Sequence, residues 1–169
     1  LFNWLFAKHH QGVFLVRIED TDQERSKKEY ELDIRNTLAW ANLHSDEPIV
    51  YQSTRLNVYH EKAEQLIKEE KAYRCVCTDD DLKKRIRGGA EPEHMRYDGY
   101  CRNKNHQPAD SCVVRFKRPD EQASVTFVDA IHGDITVDAQ HLDDFILVRS
   151  DGTPLYNFVV VVDDIYMNI

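Results

Sequence analysis

Hydrophobic positions along the chain recur first with a helical period and later with a strand period. Residues 1–8 place Leu1, Phe2, Leu5 and Phe6 at helical spacing, and a polar break then leads to Gly12, so the chain opens on what reads as the end of a helix. No cap or first turn precedes Leu1, as expected of a piece cut from something longer. Val13, Phe14, Leu15, Val16 and Ile18 follow as a short apolar run, the pattern of a strand buried on both faces of a parallel sheet. The run ends in Glu19, Asp20, Thr21 and Asp22, at the carboxyl end of the predicted strand, where open α/β sheets hold their ligands. The competing reading is that Thr21 or Asp22 caps the next helix and the other acids are solvated.

Residues 27–43 put Tyr30, Ile34, Leu38 and Ala41 on one side of a predicted amphipathic helix, which Asp46, Glu47 and Pro48 end in a turn. A second helix is expected after Ser53, with Leu56, Tyr59, Ala63, Leu66 and Ile67 as its inward stripe. A strand over 72–77 comes next. Thr78 with Asp81 three residues later resembles a capping box, opening one or two turns over 82–87 that Gly88-Gly89 stops. From Cys112 onward the period shortens to alternating runs at 113–116, 125–128 and 135–137, which predict a small, largely antiparallel sheet. Residues 158–162 have strand propensity, yet Asp151-Gly152 signals a turn. Thr153-Pro154 then supplies a capping hydroxyl before a proline suited to a first helical position, so a buried helix over 154–164 is expected.

Composition narrows the class. A chain of 169 residues with 41% hydrophobic and 31% charged side chains fits one globular domain or two small ones. No apolar run approaches a bilayer span and no secretory pattern opens the chain, so a cytosolic protein without a membrane is expected. The net charge of −8 argues against indiscriminate nucleic-acid binding. The charge is unevenly placed, however: residues 74–118 carry 11 Lys or Arg against 7 acids, and the remainder 11 against 23. That basic middle is either a phosphate-facing surface or simply a solvated face.

Four cysteines are too few for a disulfide scaffold and point to reduced thiols, with or without a metal. Cys75 and Cys77 lie two apart on a predicted strand, so both thiols point one way, and Cys101 could return to join them. His94, Tyr97 and His106 are the candidates for a fourth ligand. The alternative is three reduced cysteines in a small core, and Cys112 is expected to pack. The chain contains no G-x-S-x-G elbow, no phosphate-loop motif and no G-x-G-x-x-G, and His9, His10 and His132 read as surface or turn residues.

These residues together resemble the bacterial-type glutamyl-tRNA synthetases, class I enzymes that charge tRNA with glutamate. Residues 1–7 are similar to the helix after that family's HIGH signature, and Arg17-Ile18-Glu19-Asp20-Thr21-Asp22 with Arg25-Ser26 to its next block. Tyr51-Gln52-Ser53 with Arg55 and Tyr59, then Ala72-Tyr73-Arg74-Cys75-Val76-Cys77-Thr78, follow in the family's order. Tyr97-Asp98-Gly99 with Cys101-Arg102, Arg149-Ser150-Asp151-Gly152-Thr153-Pro154, and Tyr156-Asn157-Phe158 leading to Asp163-Asp164 complete the series.

The resemblance implies an α/β fold, a partial Rossmann catalytic domain interrupted by an inserted α+β domain that holds the tRNA acceptor end. On that map residues 1–62 and 146–169 are catalytic-domain pieces and 63–145 is the insertion, which contains the basic excess and the zinc subdomain. It further implies that Glu19 accepts hydrogen bonds from the substrate ammonium and that Tyr156 lines the glutamate pocket, the two converging on one amino acid. The implied reaction is adenylation of glutamate by ATP with magnesium, then transfer to the 3′ end of tRNA-Glu by a monomeric full-length enzyme.

HIGH, the glutamate-binding arginine and KMSKS lie outside these residues, so the chain alone is expected not to activate glutamate. The histidine that some relatives carry two places after the third cysteine is Asn103 here. Other relatives use a tyrosine four residues before that cysteine. The implied zinc ligands are therefore Cys75, Cys77, Cys101 and Tyr97, with His106 as the alternative fourth. The neighbouring identities are the short paralogue that glutamylates the queuosine of tRNA-Asp, a glutaminyl-tRNA synthetase, and a non-catalytic RNA-binding module. The long span from Cys77 to Cys101 and Thr21 favour the full synthetase.

Overall fold

The computed structural model describes residues 1–21, 26–85, 97–108, 111–119, 124–139 and 142–169, so Asp22, Arg25, Gly88, Gly89 and His94 lie outside the described residues. The chain divides into two units, Leu1–Val58 and Tyr59–Ile169.

In the first unit, helix α1 (Phe2–His9) ends at Gly12, whose N–H reaches the carbonyl of Ala7 at 2.7 Å. Strand β1 (Arg17–Ile18) pairs in parallel with β2 (Val50–Tyr51), and helix α2 (Lys28–Trp40) lies between them in sequence, the β-α-β order that a parallel pair requires. The strand expected over 13–18 is thus only two residues long, and Val13 is exposed. Instead of a ladder, residues 14–16 are held by polar side chains from the opposite segment. The Phe14 N–H donates to Asp46 Oδ2 at 2.8 Å, the Asp46 N–H donates back to the Phe14 carbonyl, and the Val16 N–H donates to Ser45 Oγ. α2 also stops three residues earlier than its periodicity predicts, and its stripe residues Tyr30 and Ile34 are half-exposed.

A 3₁₀ turn, Gln52–Arg55, leads into helix α3 (Leu56–Lys68). From Tyr59 on, the second unit is built around an antiparallel sheet in the order β3 (Ala72–Cys75), β4 (Val113–Phe116), β7 (Ile146–Val148). The predicted single sheet is therefore two. β5 (Ser124–Asp129) and β6 (Gly133–Asp138) form a separate ribbon, in register from Ser124 opposite Asp138 to Asp129 opposite Gly133. Its turn is closed by Asp129 Oδ1, which accepts the N–H groups of Ile131 and His132, and Gly133 takes a φ of +74° open mainly to glycine.

The Thr78–Asp81 capping box forms as expected: the Asp81 carboxylate accepts both the N–H and the hydroxyl of Thr78, and Thr78 Oγ1 accepts the Asp81 N–H. Helix α4 (Asp79–Arg85) follows.

The C-terminal segment is helical, but helix α5 (Tyr156–Met167) starts two residues later than predicted. Gly152, at φ +82°, turns the chain back on β7. Pro154 then bridges Val148, and the Leu155 N–H bonds the Leu147 carbonyl at 2.8 Å. That pairing keeps Pro154 and Leu155 extended, so Leu155 is the N-cap and Thr153 caps nothing.

Tyr59 and Ala63 of α3, Leu147 and Val148 of β7, and Phe158, Val159 and Val162 of α5 are buried core residues. Tyr59 Oη donates to both oxygens of the fully buried Asp163 carboxylate at 2.9 and 3.0 Å, tying α3 to α5. No helix among the described residues is long and apolar enough to cross a membrane.

Candidate functional site

The thiol cluster is assembled from three places in the second unit. β3 ends at Cys75, two residues short of the expected strand, yet the alternation continues past the ladder: Cys75 and Cys77 both face the cluster and Val76 between them is exposed, as the spacing predicted. Cys101 joins them because Gly99, at φ +73°, reverses the chain ahead of it. The turn closes through the Arg102 N–H on the Gly99 carbonyl and sets Cys101 against the strand end. The Sγ atoms of Cys75, Cys77 and Cys101 all lie within 4.8 Å of one another, and Cys77 and Cys101 are 3.4 Å apart.

Tyr97 closes the cluster. Its Oη is 3.2 Å from Cys75 Sγ and 3.6 Å from Cys77 Sγ, and it accepts the Cys101 N–H at 2.8 Å. Burial, and then the hydrogen bond with Cys75, hold the phenol proton well above its ordinary range. His106 lies close enough to Cys101 to favour its thiolate, and its Nε2 is buried without a protein partner among the described residues. The cluster is packed with Tyr73, Leu82 and Val113, and the Arg115 guanidinium lies 3.9 Å above the Tyr97 ring.

Tetrahedral zinc with Zn–S bonds of about 2.3 Å separates its sulfurs by about 3.8 Å. The 3.4 Å between Cys77 and Cys101 and the 4.8 Å limit on the whole set are compatible with that value, so the donor set fits a thiolate-rich divalent ion. The chain's own groups favour thiolates unequally. Burial raises the Cys101 thiol, but the Val76 N–H and hydrogen bonds with Tyr97, Cys77 and His106 outweigh it and bring its pKa down to about 7. Cys77 is pushed up, chiefly by burial, although the Arg85 Nη2 donates to its sulfur at 3.3 Å.

Arg85 is itself held by Asp98 at 2.5 Å, a contact that sequence reasoning missed. Several bases of the middle segment are in fact paired within the chain. Arg74 pairs with Glu64, and Arg102 Nη1 reaches both oxygens of Asp144 at 2.6 and 2.8 Å. Asp144 is buried and also accepts Tyr73 Oη at 2.5 Å and the Arg118 N–H, so it anchors the loop that carries Cys101. No motif pointed to Asp144.

Glu19 belongs to the first unit, where it lines a cavity of about 840 Å³ together with Arg17, Lys28, Tyr30, Glu31 and Tyr51. Its neighbour Asp20 is committed to structure, accepting the N–H and hydroxyl of Ser53 at 2.8 and 2.6 Å. Glu19 keeps one contact, Arg17 Nη2 at 3.3 Å, and remains exposed to the cavity's solvent. Tyr156 belongs to the second unit, where it is the exposed first residue of α5.

The family model described as tRNA synthetases class I (E and Q), catalytic domain, matches residues 1–169. The chain belongs to that family. Among class I synthetase relatives, a glutamate–tRNA ligase of Legionella pneumophila (strain Corby) is 50% identical over 171 residues, covering all of this chain and 36% of the relative. Glutamate–tRNA ligase 1 of Syntrophus aciditrophicus is 47% identical over the same span. The crystal structure of a glutamate tRNA ligase from Elizabethkingia meningosepticum, in complex with its amino acid, superposes with a TM-score of 0.82 at 32% identity, over 99% of this chain and 38% of that one. The helices and strands above are thus those of a class I, Rossmann-like catalytic domain, and the chain spans little more than a third of the length of the relatives it matches.

Proposed function

We propose that these residues form part of a glutamate–tRNA ligase that activates glutamate with ATP and magnesium and transfers it to the 3′ end of tRNA-Glu in the cytoplasm. The observation that carries this reading is the 50% identity to a Legionella glutamate–tRNA ligase along the whole chain. Residues 1–62 and 146–169 are assigned to the catalytic domain and 63–145 to an insertion that meets the acceptor end.

In this reading the Glu19 carboxylate, supported by Arg17 and free of the structural duty that occupies Asp20, accepts hydrogen bonds from the substrate ammonium. Tyr156, an exposed phenol at the start of α5, is assigned by the resemblance to the lining of a glutamate pocket. Cys75, Cys77 and Cys101 hold zinc, with Tyr97 or His106 as fourth ligand. Zinc supplies a cross-link between the end of β3 and the returning loop, not a reacting centre.

The test is charging of tRNA-Glu with radiolabelled glutamate by the intact enzyme that carries these residues. Charging with glutamate and not glutamine is expected, and Glu19→Ala is expected to raise KM for glutamate by about tenfold or more, as for loss of a charge-assisted hydrogen bond. Glutamine as the charged amino acid, or an unchanged KM in the Glu19 variant, refutes the assignment.

A further inference from the structure

The loop that returns Cys101 to the thiol cluster also walls a separate polar cavity of about 240 Å³. Its lining includes Arg74 of β3, Arg102, Asn103 and Asn105 of the loop, Lys117 just past β4, and Glu70 just past α3. The state of the three cations differs. Arg102 has both terminal nitrogens engaged, Nη1 on Asp144 and Nη2 on the Arg118 carbonyl. Arg74 gives only Nη2 to Glu64, and its Nε and Nη1 find no protein acceptor among the described residues. The Lys117 side chain is partly buried and has no acidic partner among the described residues; its backbone N–H is taken by the Lys71 carbonyl.

Two cations that find less than a full set of acceptors within the chain, facing one cavity, leave a local excess of positive charge, and an anion from outside the chain offsets it. The donors facing that need are of one chemical kind. Lysine and the unused edge of a guanidinium only donate, and asparagine amides add further N–H groups. Glu70, the acid of the lining, is exposed and makes no ion pair with Lys117. Water therefore weakens its opposition.

We propose that this cavity binds one phosphate group, with Lys117 and the free edge of Arg74 as its charged contacts and Asn103 and Asn105 as amide donors. The group's source is either a phosphate of an RNA strand or free inorganic phosphate. The site does not depend on the ligase reading, and only the RNA source does.

The test titrates inorganic phosphate into the 169-residue chain at constant ionic strength and follows backbone and asparagine side-chain amides by NMR. Shifts concentrated on residues 102–106 and 117 are expected. Lys117→Met should weaken binding about tenfold or more, and Glu70→Gln should tighten it by about twofold or more. A second arm measures affinity for an RNA stem with a single-stranded 3′ end as salt is raised. If RNA is the source, Lys117→Met weakens binding irrespective of sequence and lowers the salt slope by about 1. Phosphate binding with no Lys117 effect on RNA supports the site with free phosphate as its ligand, and leaves the ligase reading to its own charging test. Absence of localized shifts in the unaltered chain together with an RNA affinity indifferent to Lys117 overturns the proposal. So does a Glu70→Gln chain, folded by its spectrum, that binds phosphate no more tightly.

Discussion

Replacing Asp144 with alanine tests whether a single buried carboxylate holds the cysteine loop to the sheet. The substitution removes the acceptor of Arg102 Nη1, Tyr73 Oη and the Arg118 N–H at once. The Asp144 side chain is 4% exposed and that of Arg102 23% exposed, so the pair is mostly, but not wholly, out of water. Breaking a fully buried pair from one side is destabilising by about 3–5 kcal/mol, and the residual exposure of Arg102 reduces that to about 2–4 kcal/mol. The Tyr73 phenol, kept protonated by burial and by Asp144, loses its acceptor as well. An unsatisfied buried hydroxyl adds about 1 kcal/mol, which does not sum fully with the first figure because the groups share one network. The expected total is about 3–5 kcal/mol for Asp144→Ala, and about 1–2 kcal/mol for Asp144→Asn, whose amide oxygen can still accept one donor. Urea unfolding followed by far-ultraviolet circular dichroism reads the difference, with Lys62→Ala as an exposed control. An Asp144→Ala midpoint indistinguishable from the control, or a cycle with Arg102→Ala showing coupling under about 0.5 kcal/mol, would refute the reasoning.

Thiolate absorbance of the reduced, metal-free chain should show one cysteine titrating near pH 7, and Cys101→Ser should abolish it. Because the folded-state value lies below that of a free thiol, the associated stability is present above about pH 9 and lost as pH falls toward 7. The urea midpoint should therefore rise between pH 7 and 9, and a flat profile contradicts the geometry. Tyr59→Phe leaves the fully buried Asp163 carboxylate without its phenolic donor and should lower stability by about 1–3 kcal/mol, or roughly 3–10 °C in Tm. An unchanged Tm would show that the tie is dispensable. Metal analysis of protein prepared without chelator should find stoichiometric zinc that Cys75→Ser removes; comparing Tyr97→Phe with His106→Ala then identifies the fourth ligand. Absence of zinc above background rules the site out.

Much of the second unit was legible because its signals are local. The alternation at 72–75, the Thr78–Asp81 pair and the stripe through Tyr59 and Ala63 each act within a few residues, and each element formed near its expected place. The cysteine spacing found the right thiols, since the alternation that aims Cys75 and Cys77 to one side persists two residues past the end of the ladder.

The misreadings share a cause in long-range pairing. Residues 13–16 have strand composition, but Asp46 and Ser45, about thirty positions away, take the hydrogen bonds that a longer ladder would have used. Pro154 has the local qualifications of a first helical residue, yet its bridge to Val148 keeps it extended. Asp144 and Arg85 gave no signal because an acid before a strand and a base at a helix end are ordinary until their partners arrive from elsewhere.

The bond from Tyr59 to Asp163 reaches across 104 positions of sequence. During synthesis the nascent second unit must therefore wait with α3 uncapped by its partner helix until the residues of α5 have left the ribosome. At about 5–20 residues per second, that leaves the apolar side of α3 without its α5 partner for roughly 5–20 seconds, the interval in which it is most open to aggregation.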